Sequence, residues 1–294
     1  MTTLICFGFG YSAQHYVAAH GARFDRTVVT VRDPERAASL NAAGPVLTTA
    51  LVFDGEAASA ELYAAIAEAD AILVSVPPGA DGDPVLAVYG EALARAAQLK
   101  SIVYLSTVGV YGDHRGEWVD EGSECRPGDG RNRRRLTAER AWQDLGARSG
   151  AAVALLRIAG IYGPGRNALE NVRSGSAKRI VKPGQVFNRI HVADIAQAID
   201  AAIARHADGI FNLADDEPTP PGDPIVFAAK LLGVEPPPEI PFADARQAMT
   251  EMAASFYADV KRVRNAKLKS DLGVVLRYPS YREGLSALWS QRHT

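Results

Sequence analysis

Along the first 160 residues, short apolar or β-branched runs alternate with longer alanine-rich stretches. The runs Thr3–Phe7, Thr27–Val31, Leu51–Phe53, Ala71–Val76, Ser101–Ser106 and Ala152–Ile158 predict strands. The stretches Ser12–His20, Glu35–Ala42, Ser59–Glu68, Pro84–Gln98 and Arg133–Ser149 predict helices. Several strands are apolar at successive positions rather than at every second one, as a parallel sheet covered by helices on both faces requires. Asp83-Pro84 adds a helix start, an N-cap acceptor followed by proline at the first helical position. Strand–helix alternation through six strands predicts an α/β fold with a doubly wound parallel sheet.

Beyond Ile158 the pattern changes. Gly160, Gly163-Pro164-Gly165 and Lys182-Pro183-Gly184 interrupt single short elements. A helix is predicted over Ala193–Arg205, a short strand over Ile210–Leu213, a loop over the proline-rich run Asp215–Asp223, and a break at Pro236-Pro237-Pro238. Helices return near Arg264–Leu272 and over Tyr281–Gln291. The expected organisation is a nucleotide-binding domain over residues 1–160, then a mixed segment over 161–294. Part of that segment returns to the sheet and part forms a small C-terminal substrate-binding lobe.

Composition narrows the class. Apolar residues make up 47% of the 294 and charged residues 22%, ordinary globular values, and the formal net charge is −2. That balance offers no basic excess for nucleic acid or an anionic membrane. The two cysteines, Cys6 in the first apolar run and Cys125 in a polar stretch, make neither a disulfide framework nor a metal site. Leu4–Phe9 is too short for a signal sequence and no apolar window is long enough to span a bilayer, so the expected compartment is the cytoplasm. A homodimer is compatible with the sequence.

The candidate chemistry begins at Gly8-Phe9-Gly10-Tyr11-Ser12-Ala13, between the first strand and the first helix. Gly8 allows the tight turn, Gly10 lets the backbone approach a pyrophosphate, and Ala13 lets helix and strand pack closely. The helix start, with Tyr11 and Ser12, then offers free N–H groups to phosphate. The bland alternative is a tight turn without ligand. In this context the fingerprint points to a Rossmann fold and a bound NAD or NADP. The second strand ends in Arg32-Asp33. A carboxylate at the tip would suit the ribose 2′-hydroxyl of NAD, whereas Arg32 suits a 2′-phosphate, so NADP is favoured. The alternative is a solvated turn with Arg32 exposed.

Further along, Leu105-Ser106-Thr107-Val108-Gly109-Val110-Tyr111-Gly112 resembles the extended short-chain dehydrogenase/reductase superfamily, more narrowly the NAD-dependent epimerase/dehydratase family. The runs Leu156–Arg166, Arg189–Ala196 and Phe211–Ala214 continue the resemblance, which covers nearly the whole chain. It implies that Phe53 and Asp54 sit near adenine, that Ser75, Val76 and Pro77 line the ribose and phosphate path, and that Thr107 is the catalytic hydroxyl. The bland reading of Thr107 is a strand-end hydroxyl bonding local backbone. His191 reads as a brace and Asp194 as a helix cap. Tyr111 and Tyr162 read as packing residues, with either hydroxyl able to face the cleft.

The departures from the family matter as much. Its proton shuttle is Tyr-x-x-x-Lys, two groups on one helix face. Aligning Leu136-Thr137-Ala138-Glu139 puts Arg135 at the lysine position and Arg131 at the tyrosine position, and no tyrosine lies between Gly112 and Ile161. Arginine stays protonated, so Arg131 does not shuttle a proton; Arg135 can still hold ribose oxygens. Phe7 stands where the family's first glycine is expected, and Gly160 where an asparagine often seats a nucleotide-sugar. The chain therefore resembles the atypical members of the superfamily. Tyr111 and His114 are the nearest replacement proton carriers in sequence. Arg126, Arg131, Arg133, Arg134 and Arg135 form a dense basic cluster, either a solvated helix start or a receptor for an anionic small-molecule substrate.

Two functions follow. One is an NAD(P)-linked, epimerase/dehydratase-like oxidoreductase acting on a small hydroxyl or carbonyl substrate. The other is a non-catalytic NADP-binding redox sensor or regulatory protein. Both share a first test: Gly10→Val places a branched side chain where the pyrophosphate passes and should abolish dinucleotide binding in titration calorimetry. Unchanged affinity would show the site to lie elsewhere.

Overall fold

Seven strands of the computed structural model, which describes residues 1–43 and 48–291, join in one parallel sheet. In chain order the strands are β1 (Thr3–Phe7), β2 (Arg26–Val31), β3 (Thr48–Val52), β4 (Ala71–Val74), β5 (Ser101–Thr107), the short β6 (Trp118–Val119), β7 (Ala152–Ile158), the short β8 (Gly160–Tyr162), β9 (Arg179–Val181) and β10 (Arg189–His191), and β11 (Gly209–Leu213). The sheet runs β11-β7-β5-β4-β1-β2-β3. Strand order reverses between β1 and β4, and the crevice at such a switch point is where this architecture takes its ligand.

The helices follow the apolar pattern. They are α1 (Tyr11–His20), α2 (Pro34–Ala43), α3 (Ala60–Ala67), α4 (Pro84–Ala94), α5 (Gly130–Ser149), α6 (Ala168–Arg173), α7 (Val192–Ala204) and α8 (Asp223–Leu232). Alternate side chains of β1 feed two cores: Leu4 and Cys6 pack on one face with α1 and α7, Ile5 and Phe7 on the other with α3, α4 and α5. A third core, of Tyr162, Leu169, Ala228, Tyr281, Leu285 and Leu288, belongs to the C-terminal lobe. Residues past 160 thus divide: α7 and β11 complete the sheet layer, while α6, α8 and the final helix Tyr281–Ser290 form the lobe. Among the described residues no helix is long and apolar enough to cross a membrane, and no group of side chains is arranged to hold a metal.

Several expected ends move for local reasons. The fourth strand stops at Val74; the Ser75 N–H makes the last ladder bond to β1, to the Phe7 carbonyl at 2.8 Å. Helix α4 stops at Ala94, where Arg95 and Ala96 donate three residues back and tighten the chain. Asp83 caps α4 as expected, accepting from Val85 and Leu86. Helix α5 begins at Gly130 rather than Arg133, because Asp129 accepts the Asn132 N–H at 2.7 Å. Asp194 does not cap α7. His191 does, its Nδ1 accepting from Ala193, while the buried Asp194 carboxylate takes the N–H groups of Arg277 and Tyr278. Burial holds His191 down to about 4, so the ring is neutral as the brace expected.

One buried ion pair locks α5 to the sheet. Glu139 of α5 accepts from Arg157 of β7 through Nε at 3.1 Å and Nη2 at 2.7 Å, and from the Ser106 hydroxyl of β5. Both charged side chains are almost fully buried, and the Arg157 guanidinium lies 4.8 Å from the centroid of Tyr111. Burial works to lower the Arg157 guanidinium, but the Glu139 carboxylate more than offsets it and raises it overall. Glu139→Leu leaves that charge unpaired and should cost ~3–5 kcal/mol in chemical denaturation, with much of the loss recovered in Glu139→Leu/Arg157→Met. A single-variant loss under ~1 kcal/mol would show that the pair does not hold the helix in place.

Candidate functional site

The turn after β1 is built for close approach. Gly8 has φ +86°, and a Cβ there would stand 2.7 Å from Ser75 Oγ. The Ser75 hydroxyl donates to the Gly8 carbonyl at 2.9 Å, and the Gly8 N–H donates to Thr30 Oγ1 at 2.8 Å. Gly10, at the N-cap of α1, is the opposite case: a Cβ there would meet nothing within 4 Å. No side chain caps α1 and its first turn carries no acid, whereas Ser59, Asp83 and Asp129 cap α3, α4 and α5. The first N–H groups of α1 therefore face open space, which fits a bound phosphate. Ala13 is fully buried at the helix–strand contact.

The β2 tip is cationic. Arg32 is exposed, while Asp33 turns its carboxylate to the Glu35 N–H at 3.0 Å and is engaged there. Arg36, which the sequence reading did not single out, reaches across and donates from Nη2 to the Phe9 carbonyl at 2.8 Å. On the side where adenine is expected, Phe53 is 4% exposed and its ring packs on Phe7 and Tyr89 as part of the core. Asp54 beside it is exposed, its carboxylate held low by the N–H groups of Glu56 and Ala57. Val76 is partly buried and Pro77 exposed, just past Ser75.

A cleft of ≈ 640 Å³ opens along the carboxyl edge of the sheet. Gly10, Tyr11, Ser12, Ser75, Thr107, Arg131 and Arg135 all line it. Thr107 Oγ1 accepts the Gly109 N–H at 3.1 Å, the local backbone bond of its bland reading, and the residue lines the cleft. Arg135 is anchored through Nη1 to the Leu105 carbonyl at 3.0 Å and the Tyr104 hydroxyl at 3.1 Å. Arg131 lies over the Phe256 ring, 5.4 Å from its centroid, with Asp129 no nearer than 3.9 Å.

The proton carriers expected nearest in sequence are not in the cleft lining. Tyr111 is buried, donates its hydroxyl to Asn212 Oδ1 at 2.7 Å, and burial pushes it up to about 12. His114 is engaged with the Glu124 carbonyl, its Nε2 3.1 Å away, in the loop that docks on Val260. Tyr162 and Tyr11 do line the cleft, but their hydroxyls are spent on Ser280 O and Pro164 O. Gly160 is close against its neighbour: a Cβ there would stand 3.1 Å from the Asn188 carbonyl, which would have to give by a few tenths of an ångström to admit a side chain.

The opposite wall comes from the C-terminal lobe and was not legible in the sequence. Lys261 is only 7% exposed yet lines the cleft, donating from Nζ to the Gly112 carbonyl at 2.9 Å, with Asp259 at 3.7 Å. Burial pulls the Lys261 ammonium down and pushes the Asp259 carboxyl up. Phe187, Arg189 and Phe256 join them, and Arg166 stands over the Tyr11 ring. Five basic side chains (Arg131, Arg135, Arg166, Arg189, Lys261) thus face two carboxylates (Asp129, Asp259). The cleft is basic although the whole chain is not, which suits an anionic ligand.

Comparison with known proteins agrees with this architecture. Residues 90–214 match the model of the NAD-dependent epimerase/dehydratase family. A conserved protein of unknown function from Silicibacter pomeroyi is 43% identical, with 99% of each chain covered and a TM-score of 0.88. Human epimerase family protein SDR39U1, solved with NADPH, is 19% identical with 98% of this chain and 99% of that one covered; its TM-score of 0.74 shows a shared fold. The 3-diazoavenalumate denitrifying reductase of Streptomyces is 29% identical over 149 residues, so the chain spans about half (48%) of that curated relative. On a Rossmann sheet with a glycine turn, the segment of residues 90–214 that carries β5, β7 and β11 is the part of the chain that matches the NAD-dependent epimerase/dehydratase family.

Proposed function

We propose that this chain is an NADP(H)-dependent oxidoreductase that reduces or oxidises a small substrate in the cleft and does not epimerise nucleotide-sugars. The observation that carries the reading is the start of α5, where two arginines one turn apart, Arg131 and Arg135, line the same cleft as Thr107 and α1. When bound, the nicotinamide supplies or accepts a hydride. The chain's own residues do the rest. The free N–H groups of α1, with Arg166 beside them, hold the pyrophosphate. Arg32 and Arg36 take the 2′-phosphate, Asp33 being occupied. Arg135, fixed at two points, offers its remaining N–H groups to ribose oxygens. Thr107 donates its O–H to the substrate oxygen.

A carbonyl that gains a hydride must also gain one proton to leave as an alcohol. An arginine at position 131 does not release it, so it comes from water or from the titratable cleft pair Asp259 and Lys261. One further point supports the reading: the Streptomyces relative is named as a reductase.

Two tests apply. Titration with NADPH and NADH should favour NADPH, and Arg36→Glu should weaken NADPH about 10-fold or more while sparing NADH, since a charged hydrogen bond contributes ~1.5–3 kcal/mol. Equal affinity of the unmodified protein for both cofactors would sink the NADP assignment. Incubation with UDP- and dTDP-sugars should give no epimer, and activity is expected only after Arg131→Tyr/Arg135→Lys restores the proton shuttle, a step worth about 10²- to 10⁴-fold in rate. Rapid epimerisation by the unmodified protein would overturn the reading.

A further inference from the structure

The five cleft cations are not equivalent. Arg135, Arg189 and Lys261 spend their N–H groups on the protein, on Leu105 O, Thr219 Oγ1 and Gly112 O respectively. Arg131 and Arg166 donate no side-chain hydrogen bond within the described residues; each lies over an aromatic ring instead, Phe256 at 5.4 Å and Tyr11 at 5.9 Å. A guanidinium held by its face keeps its edge, with its fork of donors, for a ligand in its plane. Arg166 and Tyr11 adjoin the open end of α1, where the pyrophosphate belongs. Arg131 is the other fork, at the start of α5.

Its surroundings define what it takes. The nearest carboxylate, Asp129, is already engaged: one oxygen accepts the Asn132 N–H at 2.7 Å and the other Asn132 Nδ2 at 3.1 Å. Phe256 is still 57% exposed on the cleft wall with Arg131 over its ring, and Phe187 lines the same cleft. A flat unsaturated skeleton would cover the exposed part of that ring by stacking. Arg131 has only the 3.9 Å ion pair with the engaged Asp129 carboxylate, so its fork of donors matches a carboxylate bidentately, and inorganic phosphate, which has no skeleton to stack, gains nothing from the ring.

We infer that Arg131 and Phe256 form the receptor for the substrate's carboxylate and for the planar, unsaturated skeleton that carries it. The position that holds a tyrosine in the wider family is thereby turned from proton transfer to substrate capture. This rests on the proposed function only in placing substrate and cofactor in one cleft.

The test is calorimetric titration of the full chain, with and without NADP⁺, using trans-cinnamate, its neutral counterpart cinnamyl alcohol, and inorganic phosphate. Cinnamate should bind, and the alcohol and phosphate should bind about 10-fold more weakly or worse. Arg131→Leu should lose cinnamate to a similar extent, Arg131→Lys should recover part of it, and Phe256→Ala should weaken cinnamate and the alcohol alike. Thermal melting checks that each variant is folded. Absent cinnamate binding, equal binding by the folded Arg131→Leu variant, or tighter binding of phosphate would overturn the inference. If cinnamate binds as expected but NADP⁺ does not bind at all, the carboxylate receptor stands and the cofactor assignment falls.

Discussion

The carboxylate of Glu139 sits where three elements of the fold must agree. It takes the Arg157 guanidinium from β7 and the Ser106 hydroxyl from β5 while standing on α5. Two charges buried this deeply would each cost several kcal/mol alone, so the pair persists only while helix and strands keep their mutual position. That requirement fixes the rotation of α5 about its axis. Arg135 and Arg131 lie one and two helical turns before Glu139 on the same helix, so pinning Glu139 to the sheet carries both arginines into the cleft. Ser106 is held from behind, and the next residue, Thr107, presents its side chain to the other face of the strand end.

A second buried charge sets the far wall. Lys261 crosses to the Gly112 carbonyl at the end of the short helical turn that Thr107 caps. Asn188 binds the Lys261 carbonyl and the Val263 N–H, tying the same segment to the strand beside Gly160. Phe256 and Asp259 face the cleft because they belong to a chain segment clamped at both points. Basic character then accumulates in the cleft from residues far apart in sequence, in a protein with a formal net charge of −2.

These constraints account for the chemistry the cleft offers. The dinucleotide half keeps the geometry of its family: a turn that only glycine fits at Gly8, open space at Gly10, and a helix start with unspent N–H groups. At the start of α5 the cleft is lined by Arg131 and Arg135. Tyrosines remain nearby, but Tyr11, Tyr104, Tyr111 and Tyr162 each have a partner for the hydroxyl. A hydroxyl that is buried and bonded in place is a poor acid, as the raised values of Tyr104, Tyr111 and Tyr162 reflect. The fixed charges of the cleft favour an anionic ligand.

The sequence by itself determined the sheet and its nucleotide turn. Strands buried on both faces must be apolar throughout, helices packed on them must be amphipathic, and a phosphate-binding turn must have glycine where backbone and ligand meet. These are local demands, and the runs from Thr3–Phe7 to Ala152–Ile158 and the Gly8–Ala13 turn answer them within a few residues. The tertiary structure decided which side chains share the cleft. Phe53 and Asp54 are neighbours in sequence, yet one is core and the other is exposed, because strand ends part their side chains between layers. Tyr111 and His114 follow Thr107 closely, yet the chain turns both away from the cleft. Lys261, Asp259 and Phe256 come from more than a hundred residues beyond α5 and carry no local pattern of their own. Their place is set by long-range bonds from a buried ammonium and a half-buried amide, and such bonds exist only once distant segments have packed.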